Sequence, residues 1–460
     1  MKTSPIGRPA RALLILAALA AWSAWPPAAL GGEALTLADC LKLAVERNTR
    51  MQAADLNVAV RDSEADSVRG RFLPLFKAEA NLLGWDSDLS FAVAPPEVPG
   101  LPAGQIQTEP VKIRDQLTYG FTASAAQPLV GLYRIYSSYR AQTASRDSAR
   151  LDRSALRRRL ELDVVGAYLG LLSAERMADT ASAGVRQAEA YEAQTRRYLE
   201  NEMVEKNALL KIQVQKAELE KARADAEQTA ALLRATLNTL VGRPVEAPLE
   251  PSEDGMTSIA PAEPAADASN ALAARPDVAA LRLQAQAAES ARKAALGAML
   301  PDLNAVAQYD YKGGFGPMQP EHAVYGGLVF SWPVWEWGAT YYQLQAAERR
   351  EQLARTAVKQ VEEAARLEIE ARRVELAKAR KAQELTRLQV EYARENLRLE
   401  QNRYEARETT TVDLLQAQTT LLKVENDAIL ADMAARAAGF ALEVALGRDL
   451  LAAAGEKENP

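Results

Sequence analysis

The chain has 460 residues, a formal charge of −6, one histidine and one cysteine. A single cysteine, Cys40, excludes an internal disulfide. One His and one Cys leave little for a soft-metal site, and the mild negative charge argues against a nucleic-acid partner. His322 lies in an expected turn with no cysteine or serine to activate. Gly313-Gly314 is a turn signal rather than a phosphate cradle. Neither an enzyme nor a cofactor is expected.

Residues 1–31 have the pattern of a secretory signal peptide. Lys2, Arg8 and Arg11 precede an apolar core at 12–25 that is too short to span a bilayer, and Ala29-Leu30-Gly31 offers a small-residue cleavage site. No later stretch has the run of about 18 apolar residues that a membrane helix needs. Asp39 stands where a lipidation signal requires a small residue, so Cys40 is expected as a buried, unlipidated thiol.

A first repeat then covers 32–241. It holds a helix over 34–70 with Thr36 as N-cap, a strand at 72–83, an outer loop at 84–115, a strand at 116–127 and a helical hairpin over 132–240. The loop is proline-rich and has no period of its own. At ~1.5 Å per residue the first arm of the hairpin spans roughly 100 Å. Residues 242–268, with five prolines, form a linker or equatorial segment. A second repeat, 269–450, restates the order: a helix, strands at 302–311 and 324–332, and a hairpin over 338–447. The tail 451–460 is expected to be disordered.

The duplication is visible in residues. Arg197-Tyr198 matches Arg403-Tyr404, and each is followed by a Leu-Leu pair, Leu209-Leu210 and Leu414-Leu415. Gln127-Pro128-Leu129-Val130 matches Trp332-Pro333-Val334-Trp335, and Leu73-Pro74 matches Leu300-Pro301. A period of about 200 residues is too long for a solenoid unit and implies a duplicated architecture.

Each strand alternates, for example Phe76, Ala78, Ala80 and Leu82 against Lys77, Glu79 and Asn81. Strands of about 9–11 residues have the length that crosses a bilayer as β. An open sheet cannot sit in lipid, because its edge amides would lack partners. Two copies would make an eight-stranded barrel filled by its own side chains, whereas three leave a lumen. The expected fold is therefore mainly α with a small β part: duplicated long helical hairpins and four transmembrane strands per chain, completing a twelve-stranded barrel and a helical tunnel as a trimer. Trp332, Trp335 and Trp337 suit a membrane-interface girdle. The alternative is a periplasmic coiled-coil structural or adaptor protein without a pore.

Four motifs carry a resemblance. They are the opening Leu35 to Asn48 (LTLADCLKLAVERN), Arg275-Pro276-Asp277, the prolines at the strand ends, and RYEARETTTVDLLQAQ at 403–418. With these the mature chain resembles the TolC-type outer-membrane efflux family. The resemblance implies a homotrimer in the outer membrane with its helices in the periplasm. It also implies an exit duct of a tripartite efflux or type I secretion system, working with a periplasmic adaptor and an inner-membrane pump. The family carries Tyr-x-x-Gly at both hairpin tips. Here Tyr198 with Asn201 and Tyr404 with Arg407 occupy those sites and are the expected adaptor-docking residues. Asn tolerates the left-handed region, while Arg does so at a steric cost, so the second turn is expected to differ in shape or be slightly longer. Family members narrow the tunnel mouth with acidic rings. Asp413 matches one such position, and Gln416 and Asn207 are neutral at related ones, with Tyr404 beside them. The plainer readings are helix-start charge for Asp413 and packing at a coiled-coil end for the tyrosines.

Overall fold

The computed structural model describes residues 33–92, 110–252, 268–317 and 319–450. The expected signal peptide, the tail 451–460 and parts of the outer loop and linker lie outside them.

The chain begins with a short strand β1 (Glu33–Leu35), then α1 (Leu37–Arg47) and α2 (Thr49–Gly70). Thr36 caps α1 in a reciprocal box with Asp39: the Asp39 amide donates to the Thr36 hydroxyl at 3.2 Å, and the carboxylate takes the Thr36 amide at 3.2 Å. The single helix expected over 34–70 is two. Asn48 sits between them in extended backbone, accepts from the Arg50 amide at 2.8 Å, and donates to the Leu240 carbonyl at 2.8 Å.

The strands are β2 (Leu75–Gly84), β3 (Leu89–Phe91), β4 (Val111–Pro128), β6 (Asp302–Phe315) and β7 (His322–Ser331). Strand β5 (Leu249–Pro251) lies in the expected linker and pairs in parallel with β1. Residues 84–115 are thus not all loop, because β3 and the start of β4 pair across a bulge. β7 ends before Trp332, not with it. The antiparallel order is β2-β4-β6-β7, and its register aligns the four alternations. Phe76, Ala78, Ala80 and Leu82 pair with Ala125, Ala123, Phe121 and Tyr119. The same line continues through Ala307, Tyr309 and Tyr311 to Gly326, Val324 and His322. Directly paired residues share a face, so one face is apolar and aromatic. The other carries Lys77, Glu79, Thr122, Gln308 and Asp310, with the Thr122 hydroxyl donating to Asp310 at 2.7 Å.

The first hairpin is α3 (Leu132–Glu200) and α4 (Lys206–Leu240). After α5 (Ala268–Ala274) and α6 (Pro276–Gly297), the second is α7 (Ala339–Glu405) and α8 (Thr411–Ala445). Near the sheet the packing order is α2-α3-α6-α7, the same order as the strands that these helices flank. Towards the tips it becomes α4-α3-α8-α7. The main core lies where the two rows meet. Leu41, Leu160, Val164, Tyr168, Leu237 and Leu249 are buried there. The Tyr168 hydroxyl donates to the carbonyls of Leu35 and Ser252, at 3.0 and 2.5 Å, fixing β1 and β5 to α3. Cys40 is wholly buried in this core, and burial is the main force pushing its thiol up to about 12.

Both return helices end in one joint, made twice. After α4, Gly242 (φ 71) lets Arg243 donate its amide to Asn238 at 2.8 Å. After α8, Gly447 (φ 80) lets Arg448 donate to Glu443 at 3.0 Å. Each glycine abuts the backbone just before a short helix, Gly242 on Arg47 and Gly447 on Ala274. The last carbonyl of each return helix is then taken by the next residue along. Asn48 binds Leu240, and Arg275 binds Ala445 at 3.2 Å. Arg275 also pairs with Asp277 and Glu368, both at 2.7 Å. The Arg-Pro-Asp motif is this clasp.

Candidate functional site

The two hairpin tips are built alike. The loops 201–205 and 406–410 are equally long, so the second turn is not longer. Each holds a left-handed non-glycine residue, Glu202 (φ 56) and Arg407 (φ 62). Asn201, expected in that conformation, has φ −93 and donates its side-chain amide to the Arg197 carbonyl at 2.7 Å. The difference between the tips lies in the helix before the turn. At the first tip the Met203 amide closes onto Tyr198 at 2.8 Å. At the second the Glu408 amide closes onto Arg403, the residue before Tyr404, at 2.8 Å. A shift of one residue turns the tyrosine by about 100° around its helix.

That rotation separates the two tyrosines. Tyr404, expected at the gate, is buried among Leu397, Leu414 and Ala417, with its hydroxyl 3.2 Å from Thr195, and it lies along the cleft between the tips. Tyr198 is half-buried, and Arg407 crosses to it from the other tip. The guanidinium lies 5.9 Å from the Tyr198 ring centre, within cation–π range, and donates to the Met203 sulfur at 3.3 Å. Between the tips is a cleft of about 450 Å³, lined by Tyr198, Met203, Lys211, Arg407, Thr410 and Val412 among others. Its mainly apolar walls carry the cationic Lys211 and Arg407, the carboxylate of Glu205 and the hydroxyls of Thr409 to Thr411.

Asp413 is exposed at the start of α8 and closes a capping box. Its carboxylate accepts from the Thr410 hydroxyl at 2.6 Å, the Thr410 amide at 3.2 Å and the Thr409 hydroxyl at 3.1 Å. These bonds, the Thr410 hydroxyl first, hold its carboxyl below the usual range. Gln416 is exposed one turn on. Thr420, Lys423 and Asp427 continue the stripe along α8, and Asn207 is exposed on α4. The Thr410-x-x-Asp413 spacing was a readable signal for the box.

At the other end of the helices, Trp332, Trp335 and Trp337 are exposed between β7 and α7. The Trp332 ring N–H donates to the Met299 carbonyl at 3.3 Å, and the Trp335 and Trp337 rings meet edge to face at 5.8 Å. Tyr133, Tyr136, Tyr341 and Tyr342 are exposed at the starts of α3 and α7, an aromatic level that strand-end tryptophans alone did not reveal. On the polar face at the far end of the sheet, Arg114 stacks 3.7 Å over Trp85.

Residues 268–448 match the family model described as outer membrane efflux protein. No curated protein sequence matches the chain. Solved structures resemble it across both repeats. The open-state MtrE outer membrane channel of Neisseria gonorrhoeae is similar with a TM-score of 0.75 at 21% identity, over 90% of this chain and 89% of that one. The Campylobacter jejuni CmeC outer membrane channel gives 0.77 at 15%, over 89% and 85%. The outer membrane protein VceC of Vibrio cholerae gives 0.72 at 17%, over 90% and 96%. The second repeat carries the sequence pattern of the outer membrane efflux protein family, and both repeats carry the fold of these outer-membrane channels.

Proposed function

We propose that three copies of this chain close into an outer-membrane channel, the exit duct of a tripartite efflux or type I secretion system. One observation carries the reading. The sheet has two unpaired edges, β2 and β7, and an apolar outer face. Edge amides in lipid cost several kcal/mol each when unpaired. β2 and β7 run in opposite directions, so β7 of one copy can pair antiparallel with β2 of the next. Three copies are the smallest ring that leaves a lumen.

The helical edges support the same closure. On α7, Leu353, Leu367 and Val374, then Leu385, Tyr392 and Leu399, are exposed at spacings of seven or its multiple, a coiled-coil seam without its partner. The opposite edge offers exposed Leu56 and Val60 on α2 and Leu210, Val214 and Leu232 on α4. In this reading the tip cleft takes the helical end of a periplasmic adaptor that links the duct to an inner-membrane pump. Tyr198, Asn201 and Arg407 are the docking residues. Asp413 lines the mouth as a ring of three carboxylates, and Gln416 and Asn207 add no charge.

The test is the size of the detergent-solubilised protein and its conductance in a planar bilayer. A trimer with stable, ion-conducting openings is expected. A monomer or dimer that never conducts would overturn the proposal.

A further inference from the structure

We infer that the aromatic segment after β7 of one copy seats in a cleft at the foot of β2 of the next, with Trp335 as the knob. This rests on the closed-barrel reading above. The cleft, about 1040 Å³, is bounded by the end of α2, the start of β2 and the start of α3, and Gly70, Arg71, Leu73, Leu75 and Ile135 lie along it. Leu73 and Leu75 are each 68% exposed there. Leu75 lies on the polar face of the sheet, beside Lys77 and Glu79 in the alternation, so lipid cannot cover it.

The opposite edge of the same sheet carries the complement. Val334, Trp335 and Trp337 are 75%, 74% and 86% exposed. The register places them at the matching height. Leu75 pairs with Ala126, Ala126 with Val306, and Val306 with Gly327, so Leu75 and Gly327 lie on one line across the sheet. Trp332 is as far beyond Gly327 as Gly70 is before Leu75. With β7 running antiparallel to the neighbour's β2, residues 327–332 descend beside the neighbour's 70–75, and Trp335 reaches the level of Ser67 and Val68, which also line the cleft.

Trp332 is already held by the Met299 carbonyl, which leaves Trp335 to enter. The chemistry of the cleft fits an indole. The Arg71 guanidinium has no partner among the described residues, and a tryptophan face is the best aromatic partner for a cation. Glu336, next to the knob, brings a carboxylate near the same place, with one of its oxygens accepting from the Thr340 hydroxyl at 2.5 Å. Trp335 is thereby moved from a lipid girdle to the wall between copies. The contact is head-to-tail, so each copy gives one knob and one cleft and the ring closes.

The experiment places p-benzoylphenylalanine at position 335 in the full-length chain, purifies the trimer, irradiates it, and maps the linked peptides by mass spectrometry. Mixed tagged and untagged copies report whether a link joins two chains. Links from 335 to 67–76 or 134–138 of another copy are expected. Trp335→Ala should speed subunit exchange between tagged and untagged trimers by about tenfold or more. Links only to lipid, or only within one chain, in an intact trimer would overturn the seat while leaving the channel reading in place. A wild-type chain that is not a trimer would overturn the channel reading and the seat together.

Discussion

Replacing Gly447 by alanine should loosen the junction between the second hairpin and α6 while leaving both tips unchanged. Gly447 has φ +80, and a Cβ built there would lie 2.9 Å from the Ala274 carbonyl carbon and 3.0 Å from its oxygen. An L-residue in this region costs about 1–2 kcal/mol. Pushing packed backbone aside adds about 1–3 kcal/mol. The joint should therefore lose about 2–5 kcal/mol of local stability. Gly242→Ala should act similarly on the first joint, where a Cβ would lie 2.8 Å from the Arg47 oxygen.

The tips predict the opposite sign. Arg407 already stands at φ 62, so Arg407→Gly releases the left-handed cost. Glycine's extra unfolded freedom returns part of that, leaving a net gain of about 0.5–1 kcal/mol for the turn. The same change removes the contacts to Met203 and Tyr198, so the two tips should separate even as the turn itself tightens. Hydrogen exchange followed by mass spectrometry reads each site separately. Amides at the end of α8 and the start of α6 should exchange faster in Gly447→Ala, and those at 404–408 slower in Arg407→Gly. Unchanged exchange at the α8–α6 junction in Gly447→Ala would refute the argument that close backbone approach selects glycine there.

Three further outcomes are expected. Asp413→Asn should weaken block by a trivalent cation and reduce cation preference in single-channel recordings; equal block in both proteins would reduce Asp413 to a helix cap. Because its carboxyl is held low, first by the Thr410 hydroxyl, its capping stability is complete above the ordinary carboxyl value of about 4 and fades as pH falls through the lower folded value. Amide exchange at 411–414 measured across pH checks that window. Cysteine at Phe121 or Leu328 should react with a bilayer-restricted probe, and cysteine at Thr122 with an aqueous one; aqueous labelling of all three would contradict the lipid-facing assignment. An epitope inserted between 93 and 109 should be detected on intact cells, and detection only after permeabilising the outer membrane would reverse the orientation.

The alternation of the strands was legible because one face is apolar along its whole length, and the two long hairpins were legible because nothing interrupts their period. What escaped depended on distant partners. Asn48 reads as one more polar residue in a helical pattern, and its decisive bond is to Leu240 in another helix. β3 is three residues long and exists by pairing with β4 across a bulge. The burial of Tyr404 and half-exposure of Tyr198 follow from a one-residue difference in where each helix stops, which the matched Arg-Tyr pairs conceal. Val241-Gly242-Arg243 and Leu446-Gly447-Arg448 were in plain view as a further repeated signature, and they mark the equatorial joint.

That joint shows what duplication has kept and what it has changed. The backbone is the same in both copies: a left-handed glycine, a closing arginine amide, and a carbonyl captured from the neighbouring short helix. The capturing group differs. Asn48 is a neutral amide that spends one bond on Leu240 and one on its own helix start. Arg275 is charged, and it ties Ala445 to Asp277 and to Glu368 on α7. The first clasp holds one helix end, while the second also holds the outer arm of its hairpin. The duct proposed above would need its long arms anchored at the level between sheet and tips. The ionic clasp anchors α7, the arm with the longest exposed seam. In the proposed duct, a swing of that arm would be expected below Glu368, towards the tip cleft and Asp413, rather than at the sheet.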